Sequence, residues 1–243
     1  MPDVIAVGLP TVLIGDIEAV AGPAIFPGVQ SHRNCGVQAM QQVIRQTTGV
    51  VYEEDELLHL AVAGGFVQAK PARLIGATGP QARHDMLAAH GVASSTLVAP
   101  MLAAKDQMVN AAARAGHNET AKRVLTEALR EGKAVIAGLD ANQLWHGEPD
   151  GGGHAVLVTD GDFDEHGELT HVYLNDTGSP YPDQQKGRCV SAAAFQASLD
   201  LYVDRESGAP ASCLNIIETP MWTSTPIDLD PPRLSGSPFG RRS

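Results

Sequence analysis

Gln30-Ser-His-Arg-Asn-Cys35-Gly-Val-Gln-Ala39 is the stretch on which the reading of this chain turns. Turn-forming Arg33 and Asn34 give way to apolar residues at Val37, Met40, Val43 and Ile44, three and four apart. That spacing predicts a helix from Cys35 to about Gln46, stopped by Thr47-Thr48-Gly49. A thiol in the first turn of a helix sits at the positive end of the helix dipole, which favours the nucleophilic thiolate. Gln30, five residues upstream, brings a side-chain amide donor to the same place. The competing reading is a structural cysteine, since unpaired Cys is among the most often buried residue types. The stretch by itself does not choose between them.

The chain of 243 residues has room for one large domain or two small ones, and its 43% hydrophobic content suits a sizeable core. No apolar run has the length of a membrane span, and no basic segment followed by an apolar core marks a secretion signal at the N-terminus. The net charge of −11 argues against non-specific nucleic-acid binding and against anionic membrane surfaces. Cys35, Cys189 and Cys213 are too few for a disulfide framework, and no Cys or His spacing suits zinc. No metal and no cofactor are expected, and reduced thiols in a reducing compartment are the simplest reading.

Outward from Cys35, Val4 to Ile14 reads as a short hairpin or two strands. Glu53–Ala63 and a segment begun by Thr78-Gly79-Pro80 and ended by Gly91 read as helices. Val92–Val98 is a strand candidate. The Ala-rich run from Pro100 to Gly116 is partly helical, and Asn118 begins a clear amphipathic helix ending at Gly132. Ala134–Leu139 is a buried strand, Asp140–Gly153 a polar loop, His154–Thr159 a strand, Asp160–Gly167 a turn and Leu169–Asn175 a strand. Ser191 caps a helix to about Tyr202, Cys213–Ile217 is a last strand, and Pro, Ser, Gly and Arg dominate from Pro220 on. Helices first and an antiparallel sheet afterwards indicate an α+β fold.

A thiol nucleophile needs a base, and the base needs an orienting group. His154 begins a strand just after Gly151-Gly152-Gly153, where missing side chains leave room for a substrate backbone. Asn175 and Asp176 end the hairpin partner of that strand. Asp176 is placed to reach the far ring nitrogen of His154, with Asn175 only orienting it. Alone, each has a plain structural explanation: a strand-edge histidine bonded to backbone, or turn chemistry before Thr177-Gly178-Ser179-Pro180. Together and in this order they point to a catalytic triad. Trp145 and His146 either wall the cleft or pack a loop. Asp160-Gly-Asp162-Phe-Asp164 begins like a calcium loop, but Glu165 and His171 stand at the sixth and twelfth positions, so it reads as a solvated hairpin turn.

On Gln30, Cys35-Gly36, His154 within His-Ala-Val-Leu-Val, and Asp176 within Val-Tyr-Leu-Asn-Asp, the chain resembles the papain-like cysteine peptidases, in particular the bacteriocin-processing branch that cleaves after double glycine. Asn34 and Thr177 depart from that branch, which usually carries Asp before the cysteine and often Pro after the last Asp. The resemblance implies an N-terminal helical lobe whose nucleophile helix packs on an antiparallel sheet. It makes Cys35 the nucleophile, His154 the general base and acid and Asp176 the orienting carboxylate, with Gln30 and the Cys35 N–H as oxyanion hole. Gly152, Gly153, Trp145 and Asn175 would then border the substrate cleft.

Gly8-Leu-Pro-Thr-Val-Leu-Ile-Gly15 is similar to the closing repeat of PAAR-type domains that tip the type VI secretion spike. That likeness divides the chain into an N-terminal segment (1–27), a peptidase domain (28–219) and a tail (220–243). It implies an antibacterial toxin delivered by contact, without a signal peptide, into the cytoplasm of a target cell. Its expected partners are a protein substrate there, a cognate immunity protein, and a spike or chaperone, with no nucleic acid and no membrane. A glutamine deamidase or transglutaminase uses the same thioester chemistry, an inactive papain-fold binding module needs no complete triad, and a peptidoglycan amidase has a related fold.

Overall fold

The computed structural model describes residues 12–14, 29–31, 33–67, 76–98, 107–148, 153–200 and 213–221. In chain order the elements are β1 (Val12–Ile14), α1 (Cys35–Thr48), α2 (Glu54–Ala63), α3 (Pro80–Ala89), β2 (Ser94–Val98), α4 (Gln107–Arg130), β3 (Val135–Asp140), α5 (Ala141–His146), β4 (Gly153–Phe163), β5 (Leu169–Asn175), β6 (Arg188–Ser191), α6 (Ala192–Asp200) and β7 (Cys213–Ile217). The fold is mixed α+β. Its sheet runs β2-β7-β3-β4-β5-β6 with every neighbouring pair antiparallel, and β1 pairs with the far half of β4.

The apolar run after His154 is continuous because both faces of β4 are covered. Ala155 and Leu157 face one way, into a core with Val37, Met40 and Ile44 of α1, Leu57 of α2 and Met86 and Leu87 of α3. Val156 and Val158 face the other way, against Leu125 and Leu129 of α4 and Phe195 and Leu199 of α6. The period-two alternation of a strand thus serves two apolar layers. Each fully buried Val or Leu contributes about 1.5–3 kcal/mol relative to an exposed one. The first layer fixes α1 across β4, and so sets where the residue that opens α1 stands relative to the residue that begins β4.

Three expected boundaries move. The helix expected from Asn118 begins at Gln107 and runs unbroken for 24 residues. Gly, His and Asn inside a helix each cost up to ~1 kcal/mol relative to Ala. Burial of Ala121, Leu125, Ala128 and Leu129 offsets that locally weak stretch. The expected loop after Asp140 contains α5, whose first turn Asp140 caps by accepting the Gln143 N–H at 3.0 Å. The expected turn at Asp160 is strand: β4 continues to Phe163 through irregularities after Val158 and Asp162, and β1 pairs with Gly161–Phe163.

Asp160 and Asp162 are consequently buried rather than solvated. Asp160 accepts the Gly161 N–H at 2.7 Å, and Asp162 accepts the Tyr173 hydroxyl at 2.9 Å. Burial above all, with the charge of Asp162 added and against the Gly161 N–H, pushes Asp160 up to about 7. The reversal itself is tighter and later: Asp164 Oδ1 collects the N–H groups of His166 and Glu168 at 2.9 and 2.8 Å. Strand β6 was not expected; Ser191 ends it and also caps α6, accepting the Ala194 N–H at 3.2 Å. Most of the expected N-terminal hairpin, the Gly8–Gly15 run apart from β1, and the tail beyond Met221 lie outside the described residues. No helix among the described residues is long and apolar enough to cross a membrane.

Candidate active site

Cys35 opens α1, where backbone N–H groups are unpaired and the helix dipole is positive. The first turn carries no acidic residue to cancel that field. Gly36 follows because Thr78 closes on the helix there: a Cβ at Gly36 would stand 2.0 Å from Thr78 Oγ1. The loop ahead of the helix is clamped by the first residue of α2. Glu54 accepts the Ser31 N–H and the Asn34 amide on Oε1, both at 2.9 Å, and the Ser31 hydroxyl on Oε2 at 3.0 Å. Glu54→Ala removes all three acceptors at a cost of about 1–3 kcal/mol. It is expected to lower the melting temperature by several degrees and to slow alkylation of Cys35 roughly tenfold. Thermal denaturation and iodoacetamide kinetics measure the two effects, and an unchanged alkylation rate would show that the loop holds its shape without Glu54.

His154, second residue of β4, is anchored by pairing with Leu139 of β3. Its Nε2 lies 2.6 Å from Asp176 Oδ1, and the two side chains are 5% and 0% exposed. That bond leaves Nδ1 for the other partner of the ring, the Cys35 sulfur, with which His154 forms a side-chain hydrogen bond. Asp176 follows β5 and is held on every side. Its N–H donates to the Gln185 carbonyl at 2.7 Å, Oδ1 also accepts the Gly178 N–H at 3.1 Å, and Oδ2 accepts the indole N–H of Trp145 at 2.8 Å. The Trp145 ring also stands against the imidazole, with centroids 5.3 Å apart at a tilt of 58°.

These contacts set the charges. Burial pushes the Cys35 thiol up. The charge and hydrogen bond of His154, the Ala155 N–H and the charge of Arg83 outweigh it and bring the thiol below its ordinary value. Burial pushes His154 down, but the Asp176 carboxylate and the Cys35 sulfur overcome this and raise it to about 10. Asp176 is also pushed up by burial, yet His154, Trp145 and the Gly178 N–H hold it below the usual carboxylate range. The state these shifts favour together is thiolate, imidazolium and carboxylate. A thiolate beside an imidazolium can attack an electrophilic carbon and then return a proton to the leaving group.

Gln30 lies on the same side. Its N–H donates to the Thr177 carbonyl at 3.1 Å, and its Oε1 accepts the Thr177 hydroxyl at 3.0 Å. Among the described residues its Nε2 has no partner, so the donor end of the amide is available. Gly178 is the floor between Gln30 and the imidazole: a Cβ there would stand 2.6 Å from His154 Cε1 and 3.2 Å from Gln30 Oε1. The ring is pinned by Asp176 and cannot swing aside. Gly178→Ala is therefore expected to cut turnover by one to two orders of magnitude while shifting the melting temperature only a few degrees. Steady-state kinetics beside thermal denaturation checks this, and full activity would show that the ring has slack.

The remaining sequence-derived positions divide. Trp145 is more than a wall, since it bonds the carboxylate behind the ring; across 31 residues nothing in the sequence signals that bond. Gly153 is exposed at the start of β4, opposite Asp140. Gly152 lies outside the described residues. Asn175, expected at the cleft, is 1% exposed. It donates to Gln42 Oε1 at 2.8 Å and accepts the Gly187 N–H at 2.9 Å, so it ties β5 to α1 inside the core. Beside Trp145, His146 meets Tyr181 edge to face, with centroids 6.0 Å apart.

No described protein family matches the sequence, and no curated protein matches it either.

Proposed function

We propose that the chain is a cysteine endopeptidase with Cys35 as nucleophile, His154 as general base and acid and Asp176 as the carboxylate that fixes the imidazole. The observation that carries this reading is the buried His154–Asp176 pair at 2.6 Å, with the hydrogen bond from His154 to the sulfur that opens α1. A papain-like architecture is the fold reading that goes with it, supported by a nucleophile helix packed against the strand that carries the base. In this mechanism the Cys35 thiolate adds to a substrate carbonyl. The resulting oxyanion is met by Gln30 Nε2 and the Cys35 N–H, donors whose aim at developing charge is worth several kcal/mol in such sites. His154 gives its proton to the leaving amine, then takes one from the water that hydrolyses the thioester. Trp145 covers the Asp176 carboxylate and keeps bulk water from competing for it.

The target is proposed to be a protein of a rival bacterium, cut after glycine, with delivery through a secretion spike and a cognate immunity protein in the producer. This part rests on the resemblances of Gly8–Gly15 and of the triad motifs. The experiment is a survey of protein N-termini newly formed in cells expressing the chain or its Cys35→Ala variant. New termini preceded by glycine and absent from the variant are the expected result. A mass gain of about one unit at glutamine residues, without new termini, would replace peptidase by deamidase.

A further inference from the structure

The core layer that holds Cys35 contains a second charge that the mechanism above does not use. Arg83 of α3 is 3% exposed. Its Nε donates to Asn215 Oδ1 at 2.8 Å, Nη1 to the Thr78 carbonyl at 3.3 Å and Nη2 to Cys213 Sγ at 2.6 Å. None of these acceptors is a carboxylate, and no ion pair among the described residues includes Arg83. A guanidinium keeps its proton in proteins. A buried cation with no counter-charge is one of the costliest arrangements a core can hold.

Beside the arginine lies the first turn of α1, which carries the Cys35 thiol. A Cβ on Gly36 would stand 3.5 Å from Arg83 Cδ, so the arginine stem packs directly against the residue after the nucleophile. His154 reaches the sulfur from β4, and Arg83 approaches from α3. The guanidinium is also one of the groups that offset the burial of the thiol, after His154 and the Ala155 N–H. The other charged groups nearby act elsewhere. Arg188 of β6 influences Asp176 and donates to the Leu144 carbonyl, while Glu54 holds the loop at Ser31 and Asn34. Asn215 is held in turn, donating to the Pro80 carbonyl and Thr96 Oγ1 at 2.9 and 3.0 Å, so the guanidinium is fixed in place.

We propose that Arg83 is a positioning residue for the nucleophile, a fixed buried cation that keeps Cys35 in the thiolate form when no substrate is bound. This rests on the reading of Cys35 as nucleophile. The full chain, with Arg83→Met, Arg83→Lys and Asn215→Ala variants, is alkylated with iodoacetamide between pH 4 and 10. The rate at Cys35 is followed by peptide mass, and each variant is checked by thermal denaturation. Arg83→Met is expected to move the acid-side midpoint up by about one unit, a tenfold loss of labelling below it, with the alkaline limb unmoved. Arg83→Lys restores most of the shift, which a purely structural role would not explain. Asn215→Ala, which frees the guanidinium without removing it, moves the midpoint the same way by a few tenths of a unit. An unmoved midpoint in Arg83→Met overturns the proposal; if that variant does not fold, an unmoved midpoint in Asn215→Ala does so. If wild-type Cys35 labels only in the range of an ordinary thiol, the nucleophile reading itself fails, and Arg83 with it.

Discussion

If the chain is the proposed peptidase, Cys35→Ala and His154→Ala are each expected to lower peptide hydrolysis by three or more orders of magnitude, with little change in the melting temperature for Cys35→Ala. The two side chains act as one unit. The imidazolium beside it favours the thiolate, and the thiolate and Asp176 in turn favour the imidazolium. Removing either partner therefore removes nearly the whole rate enhancement, and the double variant loses little more than either single one. His154→Ala also leaves Asp176 Oδ1 with only the Gly178 N–H in a site where its side chain is fully buried. A loss of stability of about 3–5 kcal/mol is expected to accompany that variant. Hydrolysis of a cleaved target protein by purified variants is the measurement. Full activity of Cys35→Ala would remove thiol chemistry from the account.

Asp176→Asn moves the alkaline limit of activity down by about one to two pH units, and Asp176→Ala lowers turnover by roughly two orders of magnitude. The active window lies between proton loss from Cys35 on the acid side and proton loss from His154 on the alkaline side. The second limit is expected near 10, where the Asp176 carboxylate and the Cys35 sulfur together overcome the burial of the ring. An amide in place of the carboxylate can still accept the Nε2–H but brings no charge, so the imidazolium gives up its proton at lower pH. Alanine in addition strands the Trp145 and Gly178 N–H groups, at about 1–3 kcal/mol each where they are shut from water. Asp176 is held below the usual carboxylate range, so its contribution is present above that range and fades as pH falls through the folded value. Wild type should thus lose its advantage over Asp176→Asn in melting temperature as the solution becomes acidic. A pH–rate profile with the alkaline limb unmoved would show that His154 does not owe its proton to Asp176.

The parts of the fold that were legible in sequence are those written in local periodicity. The three- and four-residue spacing from Val37 to Ile44 specifies α1 because those apolar residues share one core layer, while the burial of Gln38, Gln41 and Gln42 on the rest of the helix left no such signal. The run Ala155–Val158 specifies a strand because both of its sides meet apolar layers. What escaped depends on distant contacts. Asp160 and Asp162 look like turn residues, and it is their pairing with β5, joined at Asp162 by β1, that makes them strand. The first half of α4 has Gly116, His117 and Asn118 at its end, and it is the packing of the second half that carries the helix through.

The site divides in the same way. Cys35, His154 and Asp176 could be named because a helix start, a strand start and a strand end are local signals, and the structure brings those three together. The Trp145 bond to Asp176, the bare surface of Gly178 under the imidazole and the buried charge of Arg83 leave no local mark. Each pairs residues from separate elements, and each residue type has a commoner structural use.

The most direct measurement is competition between thiols within one native molecule. Cys189 is exposed and Cys35 is half-buried, so accessibility alone gives Cys189 the faster reaction with a thiol reagent. At pH 6, with reagent below one equivalent, the account predicts that Cys35 carries most of the label and that His154→Ala abolishes this preference. Label on Cys189 with Cys35 untouched would mean that the sulfur and the imidazole do not form the charged pair on which the account depends.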